Sequence, residues 1–248
     1  MQYTIFKQMI HSERSIFAVN IEILQLLEGA RRAKGLTVII DVFRAFSVEC
    51  YALAAGASAI LATGEIDEAY RLQQLYPDAY LVGERGGMKC EGFHFGNSPS
   101  ELSKADLSGR MIIHTTSAGT QGIANAYGAD EIITGSLVNA AAAADYIRRK
   151  SPEHVSLVCM GLSGKEETAE DTLCAVYIKA LLEGRPIDIS DSIHDLRRTS
   201  GRKFFDPAQQ KAFPQPDFGM CTQLNLFPFV IRANAQQNYW RMERIDIF

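Results

Sequence analysis

Short aliphatic runs alternate with helical stretches through most of this 248-residue chain, and that alternation constrains the fold more tightly than any other feature. The run from Thr37 to Asp41 is apolar up to its closing acid, too short for a helix and rich in β-branched residues. Similar runs predict strands at Ser58 to Leu61, Ala79 to Val82, Met111 to His114, Glu131 to Thr134 and His154 to Cys159. Between them the spacing predicts helices over Ala45 to Ala55, Ile66 to Leu75, Ala118 to Tyr127, Leu137 to Lys150 and Glu167 to Leu182. The punctuation agrees. Gly56, Tyr76-Pro77, Gly128 and Gly184 stop helices, and Ser136 caps one that ends on Arg148, Arg149 and Lys150.

Strands that are apolar on both sides are covered on both faces. The expectation is an α/β fold, three-layer α/β/α with a largely parallel central sheet, in a single domain over residues 1–248. From about residue 185 the pattern loosens. Ser190 to Thr199 reads as helical, Lys203 to Phe218 holds three prolines and is expected to wrap the surface, and Phe227 to Arg232 reads as a final strand.

Charge narrows the function class. Lys plus Arg total 25 against 29 for Asp plus Glu, a net charge of −4, which argues against a nucleic-acid or membrane-surface binder. No apolar run reaches the roughly 20 residues of a membrane span, and the first residues lack the basic-then-apolar order of a signal peptide. Five cysteines, none in C-x-x-C spacing, read as reduced thiols in a cytoplasmic protein. A homodimer is the default assembly.

In open α/β sheets ligands bind beyond the carboxyl ends of the strands, so the residues that follow each strand carry the functional reading. They are Asp41-Val-Phe-Arg44, Gly83-Glu84-Arg85-Gly86-Gly87, Thr115-Thr116-Ser117-Ala118-Gly119-Thr120, Gly135-Ser136-Leu137-Val138-Asn139, and the turn before Glu170 and Asp171. Arg44, Arg85 and the hydroxyls of Thr115, Thr116 and Thr120 suit a strongly anionic ligand. Asp41, Glu84, Glu170 and Asp171 make sense beside that anion if a divalent cation lies between, and hard oxygen ligands point to Mg²⁺. Together they suggest metal-assisted phosphoryl chemistry.

Each feature has a plainer alternative: Thr-Thr-Ser as a helix cap, the acids as helix-dipole partners, the glycines as turn formers. The five histidines show no metal-ligand spacing and read as structural or exposed, and Cys159 reads as a core thiol. Gly161-Leu-Ser-Gly164-Lys165 lacks the full P-loop pattern, and Phe43 removes the second Asp of the haloacid-dehalogenase signature.

The runs from Val38 to Ser47, Gly83 to Pro99, Thr115 to Thr120, Gly135 to Asn139 and Glu170 to Ala175, in that order, resemble the 2-phosphosulfolactate phosphatase family, with a weaker echo at Asp217 to Pro228. The resemblance implies an α/β fold and Mg²⁺-dependent hydrolysis of 2-phospho-3-sulfolactate to 3-sulfolactate and phosphate, a step of coenzyme M biosynthesis. It implies catalytic roles for Asp41, Arg44, Glu84 and Arg85. Substrate contacts are implied for Asn97, Ser98, Thr115, Thr116, Gly119, Thr120, Ser136 and Asn139, and metal binding for Asp41, Glu84, Glu170 and Asp171. Of the last pair, Asp171 is expected to be the ligand and Glu170 its support. Phe46 stands where the family usually has Thr, and Ser117-Ala118 where it has Thr-Asn, which bears on the substrate more than on the reaction. The alternatives are an Mg²⁺-dependent hydrolase of another small phosphorylated acid and a non-catalytic anion-binding module.

Overall fold

The computed structural model describes residues 19–247. The elements run β1 (Asn20–Gln25), α1 (Leu26–Arg32), β2 (Gly35–Ile40), α2 (Ala45–Ala54), β3 (Ala59–Ala62), α3 (Ile66–Leu75), β4 (Tyr80–Arg85), β5 (Met88–Lys89), α4 (Pro99–Leu102), β6 (Met111–Thr115), α5 (Gly119–Asn125) and β7 (Ala129–Gly135). There follow a 3-10 turn (Leu137–Asn139), α6 (Ala140–Lys150), β8 (His154–Cys159), α7 (Ala169–Leu182), α8 (Ser190–Leu196), two 3-10 turns, α9 (Gln215–Cys221), β9 (Phe229–Ala235) and β10 (Trp240–Asp246). One ten-stranded sheet has the order β1-β8-β2-β7-β9-β10-β3-β6-β4-β5. It is mostly parallel, with helices on both faces in a three-layer α/β/α arrangement. Among the described residues no helix is long and apolar enough to cross a membrane.

The C-terminal hairpin β9–β10 decides the shape. It lies between two parallel runs, β1-β8-β2-β7 and β3-β6-β4, and pairs antiparallel with β7 on one side and β3 on the other. Three antiparallel pairings in succession reverse the strand direction, so the two runs point opposite ways. In a flat sheet β2 and β6, five places apart, would lie about 24 Å from each other with their carboxyl ends on opposite edges. They meet instead. A Cβ built at Gly119, just after β6, would fall 2.8 Å from the Cβ of Ala45, just after β2. The sheet is therefore strongly coiled, the usual twist of about 20–25° per strand turning the two carboxyl edges toward each other.

Side-chain alternation agrees with the curl. Ile39, Val158, Ile231, Ile60, Val82 and Ile112, from both runs, share one cluster with Phe46, Val48 and Leu53 of α2, which fills the inside of the curl. On the outside, Val38, Ile40 and Leu157 pack on α6 and α7 through Ala143, Ile147, Cys174 and Ile178. Leu61, Leu81 and Ile113 pack on Ala69 and Leu72 of α3. Each such aliphatic side chain contributes about 1.5–3 kcal/mol by burial.

The strands and helices expected between Thr37 and Leu182 are all present, with ends moved by a few residues and one helix opening on a 3-10 turn at Leu137–Asn139. Three strands lie outside the sequence reading, one of them the two-residue β5. β10 carries charges at Arg241, Glu243, Arg244 and Asp246, β1 has the polar Asn20 and Glu22 on alternate residues, and both take their places from distant partners, β3 and β8. The segment Lys203 to Phe218 does more than wrap the surface. It includes α9 and buries Phe204, Asp217 and Phe218.

Candidate active site

The curl brings the turn after β2, the turn after β4, the loop before α4, the turn after β6, the start of α7 and the 203–213 segment around one cavity of about 210 Å³. Asp41, Arg44, Glu84, Asn97, Ala118, Glu170, Lys203 and Phe213 all line it. That volume suits a small ligand rather than a nucleotide-sized one. A wider groove of about 560 Å³ beside α7 and α8 is lined by Glu167, Leu173, Val176, Asp195 and Leu196 and carries no cationic side chain. Chemistry, not size, singles out the smaller cavity.

Asp41 closes β2. Its Oδ1 accepts the Ala45 N–H at 3.1 Å, the first of α2, and its Oδ2 makes no hydrogen bond among the described residues. Burial raises its carboxyl to about 6, offset in part by the Ala45 N–H, and the charges of Glu84 and Glu170 push it the same way as burial. Glu170 is buried, lines the cavity, and leaves its Oε2 with no hydrogen-bond partner among the described residues. Asp171, its neighbour, is spent on backbone: Oδ1 accepts from Val42 N at 2.8 Å and Oδ2 from Gly161 N at 2.8 Å. Burial holds the Asp171 carboxyl well above its ordinary range, with the Glu170 charge next in importance. The expected order of these two acids is thus reversed: Glu170 faces the cavity and Asp171 ties the Asp41 turn to the Gly161 turn.

Glu84 lines the cavity while organising its loop. Oε1 accepts the Ser117 N–H at 2.7 Å, and Oε2 accepts the Gly87 N–H at 2.6 Å. Gly87 has φ +83°, and a Cβ there would come within 2.4 Å of the Phe213 ring, so glycine is needed on both counts.

Arg85 turns away from the cavity. It donates to Glu84 O, Gly64 O and the Thr115 Oγ1, and so braces β4 against β6. Thr116 and Thr120 bond each other through hydroxyl and backbone. Ser136 meets Ser47 Oγ at 2.6 Å, and Asn139 Oδ1 accepts the Ser136 N–H. Gly119 lets α5 approach the Asp41 turn, since a Cβ would lie 3.0 Å from Asp41 Oδ2. Ser98 donates to Asp217 at 2.9 Å. Of the expected substrate contacts, Asn97 lines the cavity and the others do not.

The cationic side differs from the expected Arg44–Arg85 pair. Arg44 is 3% exposed and donates at 2.7 Å to Asp217, itself fully buried. Asp217 also accepts from Ser98 Oγ and Ser100 N, so it fixes Arg44 to α4. Lys203, which the sequence reading did not single out, is the second cation of the cavity. Its ammonium lies 5.0 Å from the Phe213 ring centre, 5.7 Å from Phe204 and 6.0 Å from Phe43, and makes no ion pair among the described residues. Burial lowers its pKa, and the nearby Glu170 charge opposes that shift. Its only sequence signal is a basic residue beside Phe204-Phe205.

The five cysteines are free and buried, and burial raises every one of their thiols. Cys159 is a core thiol, unsuited to nucleophilic attack.

A family model described as 2-phosphosulpholactate phosphatase matches residues 21–236, a span that holds every residue of the cavity. The chain belongs to that family. A relative in Bacillus subtilis, called a probable 2-phosphosulfolactate phosphatase, is 30% identical over 216 residues, 86% of this chain and 92% of its own length. One in Carboxydothermus hydrogenoformans with the same description is 33% identical over 241 residues, 93% of this chain and all of the relative. Another in Caldicellulosiruptor saccharolyticus, again so described, is 36% identical over 172 residues, 67% of this chain and 71% of its own. The resemblance carried by the motifs thus holds over most of the chain as family membership.

Proposed function

We propose that this chain is a phosphatase that hydrolyses 2-phospho-3-sulfolactate, or a close small phosphorylated acid, to the corresponding hydroxy acid and phosphate. Family membership supports the ester class. The observation that carries the reading is a single small cavity in which Asp41 and Glu170 each keep an oxygen free while Arg44 and Lys203 supply positive charge.

Among the described residues no three His, Cys, Asp or Glu side chains form a ready metal cage. Mg²⁺ does not need one, since it commonly keeps several waters and takes one or two carboxylates besides substrate phosphate. The orphaned, buried Oε2 of Glu170 is a hard oxygen of the type such an ion takes, so the donor set fits. Glu170 would hold the ion, with the Glu84 carboxylate of the same lining adding negative charge. A bound Mg²⁺ would neutralise charge on the phosphoryl oxygens and lower the pKa of a water.

The chain's own groups account for the remainder. Arg44 and Lys203 draw in the anionic ester, and the Phe204 and Phe213 rings keep both cations clear of bulk water. Asp41 Oδ2 orients a water and takes its proton, with Oδ1 held still by Ala45; a carboxyl near 6 is poised for that role at neutral pH. Phosphate release measured over a set of small phospho-acids, with and without Mg²⁺, tests the reading. Turnover of 2-phospho-3-sulfolactate or a near analogue is expected, and no release from any of them would overturn it.

A further inference from the structure

Behind the cavity wall lies a buried polar chain that the proposed chemistry does not use. His114 on β6 is 1% exposed, and so is Glu49 on α2. His114 Nδ1 is 2.9 Å from Glu49 Oε1, and Nε2 is 3.3 Å from Asn97 Oδ1. Nε2 faces the Asn97 carbonyl oxygen, an acceptor, and donates to it. On the other side of the ring lies the Glu49 carboxyl group. That group's other oxygen has no partner, so among the described residues His114 is Glu49's sole hydrogen-bond partner. Polar groups placed this deep are costly unless they are bonded and hold something in position.

What they hold is the amide of Asn97, a residue of the cavity lining. With Oδ1 taken by His114, the Asn97 Nδ2 is left, unpaired among the described residues, as a donor to the cavity. We propose that Glu49 and His114 are positioning residues that fix the Asn97 amide with its Nδ2 toward an oxygen of the bound anion. A free amide could turn its carbonyl to the anion equally well; an imidazole that donates at Nε2 holds it the other way. The proposal rests on the phosphate-ester reading of the cavity and adds a neutral donor to Arg44 and Lys203.

The two amide replacements of histidine separate this role from simple packing. His114→Gln can put an N–H near the Nε2 position and keep the Asn97 bond. His114→Asn can put one near Nδ1, keeping Glu49 and losing Asn97. Binding of inorganic phosphate and KM for the best ester are measured in both variants, alone and in an Asn97→Ala background, together with the side-chain amide signals of Asn97. His114→Gln is expected to stay within about threefold of wild type, and His114→Asn to weaken binding by about tenfold or more, the worth of one hydrogen bond to a charged group. In the Asn97→Ala background His114→Asn should add nothing further. Equal losses in both variants, or a full additional loss without Asn97, would overturn the proposal. If wild type binds no phosphate, the ester reading fails by itself. The Asn97 amide signals then decide: kept in His114→Gln and displaced in His114→Asn supports the relay, and the same spectrum in both overturns it.

Discussion

Replacing Asp217 by asparagine removes a charge from a deeply buried ion pair and almost nothing else. Asp217 Oδ1 accepts from Ser98 Oγ and Ser100 N, and an asparagine carbonyl can continue to accept from both. The Oδ2 that meets Arg44 at 2.7 Å becomes an amide, and a guanidinium 3% exposed is left without its counter-charge. Stranding one member of a buried pair costs about 3–5 kcal/mol. Urea unfolding reads this as a fall in midpoint with an unchanged slope. Arg44→Met in the same chain should recover most of the loss, because the burial penalty then disappears with both charges. Activity should not recover, since Arg44 lines the cavity. Destabilisation below about 1 kcal/mol, or no recovery in the double variant, would refute the view that Asp217 exists to hold Arg44.

Three further outcomes follow from the site. If Asp41 is the base, its carboxyl, raised to about 6, is protonated below that pH; kcat/KM should fall as pH drops through about 6, and a profile flat down to pH 4 would exclude it as the base. Lys203→Met keeps the stem among the Phe rings and removes the charge, so KM should rise about tenfold or more with little change in melting temperature, whereas an unchanged KM would reduce Lys203 to a wall residue. Gly119→Ala drives a methyl to within 2.8 Å of Ala45 Cβ, and overpacking of about 1–3 kcal/mol should appear as a lower melting temperature together with a lower kcat, because the Asp41 turn must shift.

What the sequence makes legible is what is encoded locally. β2 and β8 are recognisable because every residue from Leu36 to Ile40, and from Val155 to Cys159, is buried and most are apolar. β10 is not, because Arg241, Glu243 and Arg244 are exposed and its place beside β3 is set by a partner about 180 positions away. Since β9–β10 reverses the strand direction, the curl of the sheet is equally hidden. The acidic side of the cavity follows strand ends and could be read from order alone. The order of Glu170 and Asp171 could not, since neighbours on a helix point about 100° apart and only the docking of α7 decides which reaches the cavity. Lys203, Phe213 and Asp217 lie in a proline-interrupted segment with no periodicity, so nothing local announces that they close the site.

Asp41 and its cavity are proposed to hydrolyse a small phosphate ester. The most direct measurement is phosphate release from 2-phospho-3-sulfolactate by wild type and by Asp41→Asn at pH 7.5 in the presence of Mg²⁺, with folding of both checked by their melting curves. The asparagine carbonyl can still accept the Ala45 N–H, so the variant should fold, while turnover should fall by about a hundredfold or more for want of the base. Wild-type turnover with Asp41→Asn equally active would contradict the account.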